Sequence, residues 1–205
     1  MWPLIETAGT ALALMLALAL RPWRLLRGPL LTPVLGALVL LPLLWLTPQL
    51  MPAGLRIQLS GASLLVLMLG WPLAVPVLAA VAALVWLLGS GGALDAVGRL
   101  WWLGVVPATL ALGIGAALRR WLPPNPFVYT LGRGFIGTAL AGFAAGALMQ
   151  WAHPVAADQA LVAAWLMAWG DAFLTGLLVA VFVAFVPQWL ATWSDARYLR
   201  TPDGE

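Results

Sequence analysis

Long apolar segments follow one another along almost the whole chain, and they limit its folding more than any other feature. Only 8% of the residues are charged, whereas a soluble domain carries about a quarter. A crossing helix needs about 20 apolar residues, so the 205 residues accommodate about seven crossings with short loops. The sequence therefore predicts an all-α, polytopic membrane helix bundle that forms one domain over residues 1–205.

The apolar segments predict about seven transmembrane helices. The expected ranges are Leu4–Leu20, Pro29–Leu46, two short helices within Ile57–Gly89, Leu100–Leu118, Phe127–Trp151 and Ala160–Val186. Within Ile57–Gly89 the sequence Gly70-Trp71-Pro72 predicts a tight turn, because a residue before proline avoids the helical region. The remaining residues 187–205 are predicted to form an interfacial anchor and a polar tail.

Arginine distribution predicts the orientation. With the N-terminus outside, the inside loops hold seven arginines and the outside loops hold two, Arg56 and Arg99. The inside arginines are Arg21, Arg24, Arg27, Arg119, Arg120, Arg197 and Arg200. This bias follows the positive-inside rule and places the C-terminus in the cytoplasm. We also expect the first segment to stay in the membrane, because Glu6 before it and arginines after it reverse the charge order of a signal peptide.

The sequence offers little for catalysis, and we expect a protein that is not an enzyme and holds no cofactor. It contains no cysteine, which excludes disulfides and thiolate metal sites. It has no HExxH or GxSxG motif, and no lysine to complete a nucleotide-binding loop. The scattered arginines indicate membrane topology, not nucleic-acid binding. If the chain serves an active transporter, another subunit must bind ATP.

Three ionisable residues lie within or near the predicted apolar layer: Glu6, Arg133 and Asp171. A charge inside a membrane is costly and indicates a functional or structural role. The predicted topology places Arg133 and Asp171 within about 5 Å of each other in depth. We therefore predict an ion pair that joins the last two helices, and favour it over a proton relay, which needs further titratable partners. His153, the single histidine, is interpreted as an ordinary interfacial residue.

Small residues cluster on the first and sixth predicted helices. Such residues allow two helix backbones to approach closely. In the sixth helix, Gly142 and Gly146 are four residues apart, which is typical of packing within the bundle. In the first helix the small residues predict a face that docks another membrane protein. These residues are Ala11, Ala13, Ala17 and Ala19.

Three stretches together resemble the CbiM-like permeases of energy-coupling factor ABC transporters, in a proteobacterial branch. They are Gln58–Ser63 leading to Leu69–Ala74, Pro124–Tyr129 with the run Gly134–Gly142, and Asp171–Gly176 followed by Pro187–Leu199. The resemblance covers most of the chain after Gln58. It implies a substrate-capturing subunit for cobalt or nickel in the bacterial inner membrane, partnered by a transmembrane coupling subunit and two ATPases.

The resemblance also implies where the metal ligands lie, and there the sequence departs from the family. Metal-binding members have histidine at the second position and before the Leu-x-Gly segment. This chain has Trp2 and Gln58 at those positions. A glutamine carbonyl is a poor, neutral ligand for nickel or cobalt. The Met1 amine, Glu6 and Gln58 are the metal-binding candidates that remain.

Two further functions stay open at this stage. One is a membrane scaffold or assembly factor that kept the bundle and lost metal binding, and the other is a carrier for another small solute. The missing histidines favour the scaffold. Substitution of Gln58 with alanine would damage a transporter and leave a scaffold intact.

Overall fold

The structure is a computed structural model that describes residues 1–24, 26, 28–50, 58–89, 91–154 and 160–199, without the side chains of 48–50. Predictions that concern Arg27, Arg56 and Arg200 lie outside these residues. Within the described part the chain is helical and contains no strand. The predicted all-α class is thus confirmed.

Eight helices follow one another along the chain. They are α1 (Trp2–Ala19), α2 (Leu31–Leu50), α3 (Ala62–Leu69), α4 (Trp71–Leu88), α5 (Ala93–Trp121), α6 (Val128–Ala152), α7 (Ala160–Phe185) and α8 (Asp195–Tyr198) among the described residues. Two of them begin or continue with wider, π-helical turns, at Leu100–Val105 in α5 and Val128–Ile136 in α6. The predicted turn is confirmed: Gly70 separates α3 from α4 with φ +73° and ψ 155°, a conformation that favours glycine.

Five of these helices are long and apolar enough to cross a membrane: α1, α4, α5, α6 and α7. The protein is therefore a membrane protein. In α2 the fully described part, Leu31–Thr47, is also apolar. Helix α3 has eight residues, a rise of about 12 Å, so it cannot cross a bilayer of about 30 Å alone. It is preceded by the non-helical residues 58–61.

Helix α6 runs without a break from one end of the bundle to the other. At the N-terminal end, Glu6 of α1 contacts His153, directly after α6. At the C-terminal end, Tyr129 near the start of α6 shares a hydrogen bond with Thr192, at a distance of 2.8 Å. The start of α1 and the described end of the chain at Leu199 therefore lie at different ends of the bundle.

Helices α6 and α7 pack closely through glycine and alanine. A Cβ at Gly146 would lie 2.8 Å from the Ala164 Cβ, and one at Gly142 would lie 3.3 Å from the Ala168 Cβ. A contact below 3.0 Å forces a shift, so Gly146 is needed for this helix separation, whereas a methyl group at Gly142 requires Ala168 to move by a few tenths of an ångström. Internal packing by the sixth-helix glycines agrees with the sequence interpretation.

The segment after α7 packs against the bundle over residues 187–199, and its role as an interfacial anchor stays a prediction. Leu190, Trp193 and Tyr198 are buried. The Ala191 amide donates to the Met68 carbonyl at 2.8 Å, and the Thr192 hydroxyl donates to the Leu67 carbonyl at 2.8 Å. These carbonyls end α3 and have no partner within the helix, so the tail is held by capping α3. Residues 200–205 lie outside the described part.

The predicted docking face on α1 is only partly available. Ala13 and Ala17 are buried in the core of the chain, whereas Ala11 and Ala19 are exposed. The alanines in the sequence indicate that another helix can approach α1 closely, but they do not identify that helix. Here α1 packs against α4 of the same chain. Ala13 and Ala17 therefore cannot contact a partner protein.

Candidate functional site

Glu6 joins three elements at the N-terminal end of the bundle. Glu6 belongs to α1, and its side chain is buried in the bundle. Its Oε1 accepts a hydrogen bond from Trp102 Nε1 at 2.8 Å. The same oxygen lies 2.7 Å from His153 Nε2, which forms an ion pair if the ring is protonated. An ionised carboxylate only accepts hydrogen bonds, so with Glu6 ionised this contact requires a proton on Nε2. In the neutral ring Nδ1 then keeps its lone pair.

Local sequence explains why these three side chains meet. Pro154 disfavours helical geometry at His153, whose φ of −128° and ψ of 75° end α6 there. In α5, the adjacent residues Trp101 and Trp102 lie in the π-helical turns Leu100–Val105, and the side chains of both contact α1. Trp102 reaches Glu6, and the Trp101 ring covers Gly9, where a Cβ would lie 2.4 Å from it.

Aromatic rings enclose the imidazole. The ring centroids of Trp2 and Trp102 lie 6.2 Å and 6.1 Å from that of His153. Trp2 also packs edge-on against Trp151 at 5.3 Å. The His153 side chain nevertheless keeps 43% of its surface exposed, whereas Glu6 keeps 10%. The imidazole is therefore the accessible member of the pair and the carboxylate its buried support.

A cavity of about 470 Å³ extends from His153 into the bundle. Its polar lining comes from Gln58, Ser60, Gln150, His153 and Asp171. The rest of the wall consists mainly of small and apolar residues of α6 and α7 and of Trp102. A cavity of this size, with few polar groups in an apolar wall, has the general form of a small-ligand site.

Residues 58–61 form one side of this cavity as irregular backbone, whose polar groups need partners inside a membrane. The Ser60 hydroxyl donates to the Leu103 carbonyl at 2.6 Å and accepts from the Ala62 amide at 3.1 Å. The Ser60 carbonyl accepts from Trp45 Nε1 at 3.0 Å. The Gly61 amide donates to Asp171 Oδ1 at 3.1 Å. Membrane proteins keep irregular backbone where it lines a cavity or is buried in protein, and Gln58 and Ser60 line the cavity here.

Substitution of Asp171 tests this support. Asp171 is buried, and its Oδ1 holds the Gly61 amide at the start of α3. We expect Asp171→Leu to lose about 1–3 kcal/mol of stability, because it leaves a buried amide unpaired. Asp171→Asn keeps an acceptor oxygen and should remain near wild type. Thermal unfolding in detergent measures both. Equal stability of the leucine and asparagine variants would contradict this role.

The predicted pair of Arg133 and Asp171 is not formed. Asp171 accepts from Gly61, while Arg133 Nε and Nη1 are buried without a hydrogen-bond partner. Gly134 lies against the Gly176 backbone, so Arg133 is level with about residue 177 of α7. That level is roughly 9 Å along the helix from Asp171. The depth prediction thus failed because it ignored the register between the two helices.

The grouping of Met1, Glu6 and Gln58 as metal ligands stays a prediction. Glu6 touches His153, and Gln58 lines the same cavity as His153. Met1 is 86% exposed at the start of α1. Among the described residues, no three His, Cys, Asp or Glu side chains converge.

His153 is the functional candidate that sequence reasoning missed. The sequence alone indicates an ordinary interfacial residue, although the predicted topology places both Glu6 and His153 near the outer ends of their helices. The signal that could have identified the pair is that a carboxylate and an imidazole are predicted at the same level of the membrane.

Comparison with known proteins does not extend this description. No protein-family model, curated protein or solved structure matches the chain.

Proposed function

We propose that this chain is the substrate-capturing membrane subunit of an energy-coupling factor type transporter that takes up cobalt or nickel. One observation carries the proposal: the Glu6–His153 pair, 2.7 Å apart, at a cavity of about 470 Å³ inside the bundle. The resemblance of the three sequence stretches to CbiM-like permeases supports the same function.

His153 supplies an imidazole that the family positions occupied by Trp2 and Gln58 lack. A metal-binding histidine usually donates its other N–H to a carboxylate, which orients the ring and raises its basicity. Glu6 meets this requirement at Nε2, so His153 Nδ1 is the metal ligand in the proposed site. Imidazole nitrogen suits nickel and cobalt. The Gln58 carbonyl and the free amine of Met1 complete the set of candidate ligands.

The proposed topology has seven membrane passes, with the N-terminus outside and the C-terminus in the cytoplasm. The third pass combines residues 58–61 with the short helix α3. This arrangement follows the arginine bias and supports a cavity that opens to the outside, where a substrate-capturing subunit meets its cargo. We propose the bacterial inner membrane as its location, with a transmembrane coupling subunit and ATPase subunits as partners.

A scaffold that has lost metal binding is the alternative function. The tryptophan and glutamine at the family's two histidine positions favour it. The two functions differ in one measurable property, since a scaffold has no reason to keep a metal-binding imidazole beside an ordered cavity.

Calorimetry with the purified protein tests the proposal. A tag at the C-terminus leaves the Met1 amine free. We expect binding of cobalt and nickel at micromolar concentration and none of magnesium, which prefers oxygen ligands. If neither cobalt nor nickel binds at micromolar levels, the transport proposal fails. Purification from native membranes should in addition recover an ATPase and a second polytopic subunit; recovery of an unrelated membrane complex would support the scaffold.

A further inference from the structure

Arg133 is a buried cation without an anion. Its side chain is 6% exposed, and Nε and Nη1 have no hydrogen-bond partner among the described residues. The guanidinium carbon lies 5.2 Å from the centre of the Tyr129 ring. At Gly115 of α5, a Cβ would lie 2.9 Å from Arg133 Nε. The absence of a side chain at Gly115 therefore makes room for the guanidinium.

Such a charge is strongly unfavourable inside a protein at membrane depth. Buried charges are normally paired, because desolvation removes the favourable interaction with water. A tyrosine face offsets part of this cost but does not satisfy the N–H groups. A negatively charged ligand that accepts hydrogen bonds would satisfy both the charge and the free donors.

A second cavity, of about 160 Å³, lies beside Arg133 at the C-terminal end of the bundle. Arg119 at the end of α5 and Arg197 in α8 line it together with Arg133. None of the described residues that line it is acidic. Asp195, on the same short helix as Arg197, instead accepts from Trp193 Nε1 at 2.6 Å. Three arginines from three separate elements therefore share one small cavity.

We propose that this cavity is a binding site for a phosphate group. Arginine presents a planar fork of donors that matches phosphate oxygens, and the cavity accommodates one tetrahedral anion. The remaining lining is apolar, with Leu118, Leu122 and Val128. The positive-inside rule assigns this end to the cytoplasm, where anionic lipids attract basic pockets between helices. The phosphate can belong to the headgroup of an anionic phospholipid or be free inorganic phosphate.

The site can be tested with delipidated full-length protein in detergent. Native mass spectrometry measures binding of phosphatidylglycerol, with phosphatidylcholine as the zwitterionic comparison. A separate titration with inorganic phosphate, against sodium chloride at equal ionic strength, follows thermal unfolding. The variants are Arg119→Gln and Arg197→Gln, which change exposed side chains. The matched control is Arg120→Gln, which removes an exposed neighbouring charge outside the cavity.

We expect wild type and Arg120→Gln to bind phosphatidylglycerol alike. Arg119→Gln and Arg197→Gln should each bind about tenfold more weakly, since each loses one charge-assisted contact. Gly115→Ala changes no charge, but its new methyl group displaces the Arg133 guanidinium and should also weaken binding.

The two sources of phosphate give different results. Stabilisation by inorganic phosphate alone identifies a free anion, whereas binding of phosphatidylglycerol without an effect of phosphate identifies the lipid headgroup. Equal binding by wild type, both cavity variants and the control, or no binding of either ligand, would overturn the proposal.

Discussion

Replacement of His153 by glutamine is expected to abolish cobalt and nickel binding while leaving the protein folded. Glutamine keeps an N–H that can donate to Glu6 but removes the imidazole nitrogen that we assign as the metal ligand. Replacement of Glu6 by glutamine keeps an acceptor for Trp102 and removes the carboxylate behind the ring. Loss of such a supporting partner typically weakens metal affinity about 10–100-fold, so Glu6→Gln should still bind, but more weakly.

Calorimetry on the two single variants and the double variant measures their coupling. If Glu6 acts through His153, its substitution should have little further effect once His153 is glutamine. Asp95→Asn is the control for charge, because Asp95 lies near the same end of the bundle, where its carboxylate accepts from the Gly92 amide. Unchanged nickel affinity in His153→Gln, with Asp95→Asn also unchanged, would remove the imidazole from the site.

Gly146→Leu is expected to prevent the bundle from forming its normal packing. The Cβ alone would lie 2.8 Å from the Ala164 Cβ on α7, and the rest of a leucine side chain has no space. Overpacking costs about 1–3 kcal/mol even in adaptable cores, and here two helix backbones must separate. Because association of membrane helices depends on close packing of small residues, we expect the yield of monodisperse protein to fall sharply.

Gly113→Leu is the matched control for this change. A Cβ at Gly113 of α5 would meet no atom within 4 Å, so the same substitution there adds a side chain without a clash. Leucine also favours a helix by about 1 kcal/mol over glycine, and Gly113→Leu should be at least as stable as wild type. Size-exclusion chromatography and thermal unfolding in detergent compare the two. Similar behaviour of both variants would mean that α6 and α7 are not held by this contact.

The sequence predicted the helices well because apolar length and proline or glycine breaks are local signals. The expected break at Gly70 is confirmed. The sequence predicted two short helices within Ile57–Gly89, but it did not predict that residues 58–61 lie outside α3. Residues 58–61 are held outside the helix by Trp45, Leu103 and Asp171, whose positions depend on how distant helices pack.

The candidate site was predictable only in part for a related reason. Hydropathy gives depth in the membrane, which puts Glu6 and His153 near helix ends but does not predict that they meet. It does not give the register or the rotation of one helix against another. Those two quantities separate Arg133 from Asp171, turn Ala13 and Ala17 toward the core, and leave Ala11 and Ala19 exposed. Each depends on side-chain packing between elements far apart in the chain.

The capping of α3 by the tail has a consequence for biosynthesis. The Leu67 carbonyl bonds to the hydroxyl of Thr192, which is 125 positions further along the chain. When the ribosome has made the first four helices, the residue that completes this cap does not yet exist. The cavity wall formed by residues 58–61 continues into α3, so it reaches its final form only after the last membrane segment has left the translocon. A nascent chain is thus without a finished cavity until its synthesis is nearly complete.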